Sequence, residues 1–417
     1  MEYSKKLSYN KQKEKEHKAS GKSWAIVSIA SIPLVMTLGN SMLIPVLPTF
    51  EKELGISAFQ SSMIITVYSI VAIILIPIAG YLSDRIGRKK VIIPSLIIAA
   101  IGGLVAGWAS WKIEDAYFMV LVGRVLQGVG AAGSFPIVLP LVGDLFKSDK
   151  EVSSSLGVIE TSNTFGKVLS PILGAFLAGL VWFLPFLAFP AFCLISIFMM
   201  SFLVKPPKKT EAQSFKVFLF NIKSIFKEKG RWIYGIFIVG CILMYVLFGV
   251  LFYLSSMLED KYGIHGVKKG LILAIPLGAL CLSSYITGKK ISKNKPLMKW
   301  ISFAGIVIVA VSVFTISFST NLWFLLSIFF LCGVGIGVSL PCLDALLTEG
   351  IEKEERGTIT SIYSSMRFVG VALGPPVFAI LMKKSDLMMF YSTTAVCIIA
   401  AIISLFAIKP KQKSTKG

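Results

Sequence analysis

Acidic residues are scarce in this 417-residue chain: 22 Asp and Glu stand against 42 Lys and Arg, and charged residues of both signs make up only 15% of the whole. An ordinary soluble domain carries about a quarter charged residues, so the shortage excludes a water-solvated fold. Histidine is nearly missing, with His17 in the amino-terminal tail and His265 in a link between apolar runs. The six cysteines lie inside apolar runs without paired metal-ligand spacing, so they read as small core residues and no metal centre or disulfide framework is expected. There is no glycine-rich nucleotide loop, and no His, Ser, Asp and Cys set converges as an active site requires. The expectation is a protein that is not an enzyme and needs no cofactor. None of the apolar runs alternates over the roughly 10 residues of a membrane β-strand, which excludes a barrel.

What the chain has instead is apolar length. Hydrophobic residues supply 55% of it, and a membrane-crossing helix needs about 20 consecutive apolar positions. Twelve such segments are present, beginning near Trp24, Ala58, Val91, Ala116, Val152, Val181, Trp232, Val267, Met298, Leu322, Gly357 and Met388. The fold class expected is an all-α integral membrane protein of twelve transmembrane helices. Its 35 glycines suit such a protein, because small residues let helices approach where lipid offers no hydrophobic drive to association.

Orientation follows from the basic residues. Most of the 42 sit in the amino-terminal tail, the even-numbered links and the carboxyl tail, while few, Lys52 and Lys269 among them, fall on the other face. Positive residues accumulate on the cytoplasmic side, so both termini are expected in the cytoplasm of a multi-pass cell-membrane protein. The net charge of +20 is thereby a topology signal, and its dispersal over links argues against nucleic acid as a partner. The polar start, residues 1–23, leads into a full-length span without a small-residue cleavage site, and is expected to be a retained tail.

The longest polar link, residues 205–231, divides the segments six and six. The expected organisation is a tail over 1–23, a bundle over 24–204, a basic linker over 205–231, a second bundle over 232–408 and a tail over 409–417. A duplicated architecture predicts matched residues at one spacing. Gly128, Gly130, Ser134 and Pro136 of segment 4 recur as Gly333, Gly335, Ser339 and Pro341 of segment 10, and Gly166 and Pro171 of segment 5 recur as Gly370 and Pro375 of segment 11. Two pseudo-symmetric six-helix bundles follow, with a substrate site near mid-membrane between them and transport by rocking one half against the other.

Three motifs give the chain a family resemblance. Between segments 2 and 3 runs GYLSDRIGRKK, with Gly80, Asp84, Arg85, Gly87 and Arg88; segment 4 carries LVGRVLQGVGAA around Arg124; segment 5 carries Gly166, Ser170, Pro171, Gly174 and Ala175. The chain resembles major facilitator superfamily transporters of the twelve-helix drug:proton antiporter kind, a group that includes siderophore exporters. The resemblance implies the major facilitator fold. It implies that Asp84 and its neighbours latch the cytoplasmic side, that Arg124 faces the cavity and takes part in proton coupling, and that Gly166, Ser170, Pro171, Gly174, Gly370, Gly374 and Pro375 pack helices. Ser170 and Ala175 replace two glycines of the antiporter pattern, which leaves a nutrient importer of the same fold open; lipid flipping is the other alternative.

Four charged side chains lie inside predicted spans: Arg124, Glu160, Lys167 and Arg367. Glu160 and Lys167 share a helical face with Asn163 between them, and Arg367 takes the repeat position of Asn163. Glu160, as a deep acid, is the candidate proton-responsive group, with Arg124 or Lys167 as partner; a permanent ion pair that only fixes packing is the other reading. Asn40 stands in segment 1 where some drug exporters place an acid. A cation surplus favours an anionic or catechol-bearing amphiphile, perceived by Arg124, Lys167, Arg367, Asn40 and Asn163. Met244, Tyr245, Phe248, Phe252 and Tyr253 are candidates for an adaptable apolar wall, and Asp144 and Asp344 are expected to pair with loop cations. Expected partners are therefore small-molecule substrate, protons and the lipid bilayer, with one copy sufficient for transport.

Overall fold

The computed structural model describes residues 2–146, 148–205, 230–291, 294–351 and 356–408. The carboxyl tail, and all but the ends of the linker expected over 205–231, lie outside the described residues. Twelve long helices cross the molecule: α1 (Lys22–Leu54), α2 (Ala58–Ile86), α3 (Arg88–Lys112), α4 (Tyr117–Leu145), α5 (Asp149–Leu180), α6 (Leu184–Leu203), α7 (Arg231–Asp260), α8 (Gly266–Lys290), α9 (Lys295–Ile316), α10 (Leu322–Gly350), α11 (Arg356–Lys384) and α12 (Asp386–Phe406). Eleven are long and apolar enough to cross a membrane. The twelfth, α5, has the length but holds Glu160, Asn163, Thr164 and Lys167 in its middle. Its polarity is tolerable only because that face looks into the protein and not into lipid.

Local sequence sets the ends. Ser57 opens α2 with a reciprocal capping box, its hydroxyl accepting from the Gln60 amide while the Gln60 side chain accepts from the Ser57 amide. Ser148, Asn294, Asn321 and Ser385 cap α5, α9, α10 and α12 one way, each side-chain oxygen accepting from a first-turn amide. Gly87 joins α2 to α3 at φ +106, a backbone state that a side chain would strain, so the turn between two long helices needs glycine. Exposed Trp24 and Trp300 ring the face on which α1 begins, and exposed Trp108, Trp111 and Trp323 ring the opposite face. Such belts mark the two membrane interfaces.

Packing repeats between the halves. α1 lies against α5 and α6, and α7 lies against α11 and α12; α4 packs on α2 and α3, and α10 packs on α8 and α9. The repeated glycines explain why. A Cβ at Gly128 would collide with the Tyr68 carbonyl of α2, and one at Gly333 with the Pro276 carbonyl of α8. Gly130 meets Ser95 and Ala99 of α3, as Gly335 meets Gly305 and Val309 of α9. The motif conserved across the duplication is thus a pair of backbone contacts per half. Between the halves, α2 runs along α11 and α5 along α8.

Candidate functional site

A cavity lies between the two bundles near the middle of the helices. Met36, Thr37, Asn40 and Ser41 of α1, Tyr68 of α2, Asn163 and Lys167 of α5, Met244 and Phe248 of α7, and Ser364, Arg367 and Phe368 of α11 are among its walls. Two of the expected cations, Lys167 and Arg367, and both expected asparagines therefore meet here. Arg367 and Asn163 occupy matching places on α11 and α5, as their repeat positions imply. Of the apolar residues singled out on α7, Met244 and Phe248 line the space, whereas Tyr245 packs on Phe378 and Tyr253 on Phe390 within the second bundle. Phe252 is buried in the core.

Arg124 is elsewhere than the resemblance implied. Its side chain is 0% exposed and does not reach the cavity surface. Its Nε donates to the Ile64 carbonyl at 2.6 Å, Nη2 to Asn40 Oδ1 at 2.6 Å, and Nη1 to Gln127 Oε1 and, at 3.4 Å, to the Gly39 carbonyl. The guanidinium also stands 4.5 Å from the centre of the Tyr68 ring. Neutral oxygens and a π face satisfy the charge without a carboxylate. Asn40 and Tyr68 stand between Arg124 and the cavity.

Glu160 stands apart from the cavity lining, toward the face on which α1 begins. It shares its side of α5 with Lys167 and Pro171, while lipid-exposed Val158 and Phe165 look the other way, yet Glu160 is exposed. Glu160 therefore marks an opening between the bundles on that side. Asn163 Nδ2 donates to Glu160 Oε1 at 3.4 Å and Thr37 Oγ1 donates to Asn163 Oδ1 at 2.7 Å. Glu160 is an electrostatic neighbour of Lys167, Asp344 and Arg367. The Lys167 ammonium makes no hydrogen bond or close ion pair among the described residues.

Asp344 departs from its expected pairing with a loop cation. Its carboxylate lies 3.7 Å from the Arg367 guanidinium, placing a second acid beside the cavity. Its sequence signal was a lone acid in a long apolar run, read as a helix-end charge. Asp144 does pair with a link residue, Arg88 Nε, at 3.1 Å. Arg88 also bridges to Asp84 and donates to Ser83 Oγ at 2.7 Å, so the motif between α2 and α3 is tied to the end of α4 within the first bundle. Lys89 caps the end of α6 through the carbonyls of Ser201 and Val204, and Arg85 is exposed. Gly80 faces Ser361 of α11, marking the approach of the motif to the second bundle.

The packing motif does what its residue types require. Gly166 fits against Leu34 and Thr37 and Gly174 against the Met42 backbone, both on α1; Gly370 and Gly374 fit in the same way against the backbone of α7. The Ser170 hydroxyl is fully buried, donating to the Gly166 carbonyl at 2.5 Å. Beside it, the Pro171 carbonyl and Ala175 receive Gly270 of α8, across the boundary between bundles.

The face opposite the one on which α1 begins is closed by a group that the sequence did not single out. Glu259, 7% exposed at the end of α7, accepts from Lys52 Nζ of the first bundle at 2.6 Å and from Lys269 Nζ of α8, 2% exposed, at 2.7 Å. His265 Nδ1 lies 3.7 Å from the same carboxylate. Ser255 Oγ donates across the same boundary to the Ile44 carbonyl at 3.1 Å. In sequence these are link charges; only the fold brings Lys52 to the second bundle.

A membrane bundle of two repeated halves, a cavity between them and one closed face are the parts of an alternating-access carrier. The sequence model of the Major Facilitator Superfamily matches residues 29–375 and 298–417. The chain belongs to the Major Facilitator Superfamily. Among relatives in this superfamily, the Bacillibactin exporter of Bacillus subtilis (strain 168) is 55% identical over 389 residues, covering 93% of this chain and 97% of that one. Multidrug resistance protein 2 of the same organism is 26% identical over 363 residues, covering 85% and 88%. The crystal structure of a D-xylose-proton symporter superposes with a TM-score of 0.77 at 13% identity, covering 93% of this chain and 98% of that one, a likeness of fold alone. As a superfamily member the chain is a multi-pass membrane transporter of small molecules.

Proposed function

We propose that this protein exports an anionic, catechol-bearing siderophore of the bacillibactin class from the cytoplasm, in exchange for protons. The observation that carries the reading is the cavity between the bundles, where Lys167 and Arg367 converge and no Asp or Glu stands among the lining residues. An oxyanion entering this space meets the Lys167 ammonium, which has no close ion-pair partner among the described residues, beside an Arg367 guanidinium tethered on one side to Asp344, an arrangement that favours an anion over a lipophilic cation. Tyr68, Phe135, Phe248 and Phe368 offer ring faces beside the charges, which suits an aromatic anion over a simple one. The likeness to the Bacillibactin exporter extends over nearly the whole chain and supports the same class of cargo.

The positive-inside distribution supports a cytoplasmic location for both termini and for the side of the bundles on which Glu160 is exposed. The state described is then loaded from inside and sealed outside by Lys52, Glu259 and Lys269. Glu160 is the proton-responsive group: at the cytoplasmic mouth it is open to water, and its charge sets the field at Lys167 and Arg367. Arg124, which has no carboxylate partner, acts in a different way. One copy contains the whole path and works alone.

Deleting the gene is expected to retain siderophore in the cells and deplete it from the medium, with recovery by the wild-type copy and collapse of that recovery by a proton uncoupler. Unchanged secretion after deletion would overturn the reading. Glu160→Gln is expected to weaken proton-driven efflux while leaving binding of the cargo in place; unchanged proton-driven efflux would remove Glu160 from the coupling.

A further inference from the structure

The polarity of the cavity wall is set from behind it. Arginine carries only N–H donors and no acceptor. The Asn40 atom that meets Arg124 Nη2 at 2.6 Å is therefore its carbonyl oxygen, and the amide orientation of Asn40 is determined by chemistry. Its Nδ2 is then the end left over. Asn40 is 6% exposed and lines the cavity, and Nδ2 donates to no protein atom among the described residues. Nδ2 is not among the sealed polar atoms that lack a partner, so this N–H pair faces the cavity, free to donate to whatever occupies it.

The other nitrogen groups at the wall have the same sign. Lys167 presents three donors, and Arg367 presents its guanidinium, tethered on one side to Asp344. Asn163 has its carbonyl oxygen engaged by Thr37, and its amide turned toward Glu160. Each asparagine thus has its carbonyl oxygen already engaged by one protein donor. Arg124 itself is sealed: Ile64, Gly39, Gln127 and Asn40 take its donors and Tyr68 covers its face.

We propose that Arg124 is a positioning residue that never touches cargo, and that through Asn40 it determines the sign of what the cavity accepts. By engaging Oδ1 it holds Asn40 as an N–H donor, which favours carboxylate, phenolate and other oxygen acceptors and disfavours ammonium groups and lipophilic cations. The inference rests on the cavity being the cargo site. It adds that selectivity resides in a residue one layer behind the surface.

The test uses the purified full chain in lipid nanodiscs and two probes: 2,3-dihydroxybenzoylglycine as the catechol anion, and tetraphenylphosphonium as the cation. The readout is the ratio of their dissociation constants. Asn40→Asp keeps the shape and the bond to Arg124 but turns an oxygen to the cavity; it is expected to weaken the anion at least tenfold and strengthen the cation. Arg124→Gln, which both donates and accepts, frees Asn40 to turn over and narrows the ratio. Arg124→Lys, again only a donor, is expected to keep the ratio even where it lowers thermal stability. Equal losses for both probes in Asn40→Asp and Arg124→Gln would overturn this role and leave Arg124 as a packing residue. The cavity reading fails separately: it is overturned, and this inference with it, if the wild type binds neither probe or if Lys167→Gln leaves anion binding intact.

Discussion

The two faces of the molecule use the same chemistry at different levels of the architecture. On the face where α1 begins, Arg88 gathers Asp84 and Asp144, but all three belong to the first bundle. On the opposite face Glu259 gathers Lys52 and Lys269, and Lys52 comes from the other bundle. Only the second cluster bears on whether the halves are together. Ion pairs within a bundle stiffen a rocking body; an ion pair between bundles holds one of its positions. The difference teaches that charge density alone does not locate a gate. The motif between α2 and α3 is the denser run in sequence, yet in this state its ion pairs, Arg88 with Asp84 and Asp144, stay within the first bundle.

That contrast is open to direct attack. The largest effect is expected from Glu259→Gln. It leaves Lys269 buried without its carboxylate, and breaking a buried pair by removing one partner costs about 3–5 kcal/mol. Glu259 and Lys269 both belong to the second bundle, so that cost should lower the thermal midpoint, while loss of the bridge to Lys52 should let spin labels placed across the face closed by Glu259 move apart. Gly270→Ala comes next, since its methyl group meets the Pro171 carbonyl and Ala175 of the other bundle. Overpacking of this kind costs about 1–3 kcal/mol, read as opening of the face closed by Glu259. Gly370→Ala places equal bulk within one bundle, against the α7 backbone. It should lower the thermal midpoint without shifting the label distances, and a shift there would break the contrast.

Smaller effects sharpen it. Asp84→Asn removes an exposed pair within one helix turn, worth about 0.3–0.5 kcal/mol, so ligand affinity in the state described should change less than twofold. Turnover should fall further than affinity if Asp84 acts as a latch in the other position of the rocking cycle. Lys52→Gln removes the exposed partner of Glu259 and leaves Lys269 in place. Its effect on the thermal midpoint should be the least, about 0–1 kcal/mol, while the label distance across the face closed by Glu259 should still grow, because Lys52–Glu259 is the pair between the halves; an unchanged distance would show that this pair does not hold the face shut.

Much of this was legible in the residues. Hydrophobic length located all twelve helices, including α5, whose polar centre keeps it below the apolarity of the other eleven. The spacing of Gly128, Gly130, Gly333 and Gly335 disclosed the duplication because backbone contact leaves no alternative residue type. Lys167, Arg367, Asn40 and Asn163 were recognisable as cavity groups from the expense of polar atoms in a span. Burial depth was not legible. Arg124 is neutralised by the carbonyls of Ile64 and Gly39, which any residues would supply, so no sequence signal tells a sealed arginine from one facing a cavity. Asp344 and Glu259 were underread for a related reason: near helix ends an acid facing water and an acid facing a partner have the same local sequence. Lys52 reaches Glu259 only through the packing of one half on the other.

The most direct measurement is the affinity of purified wild-type and Lys167→Gln protein for bacillibactin, with the thermal midpoint recorded for both. Truncating one partner of a buried charge contact typically costs 2–5 kcal/mol, so the affinity should fall by about tenfold or more while the midpoint holds. Equal affinity in the two proteins would contradict an anion site built on Lys167 and Arg367.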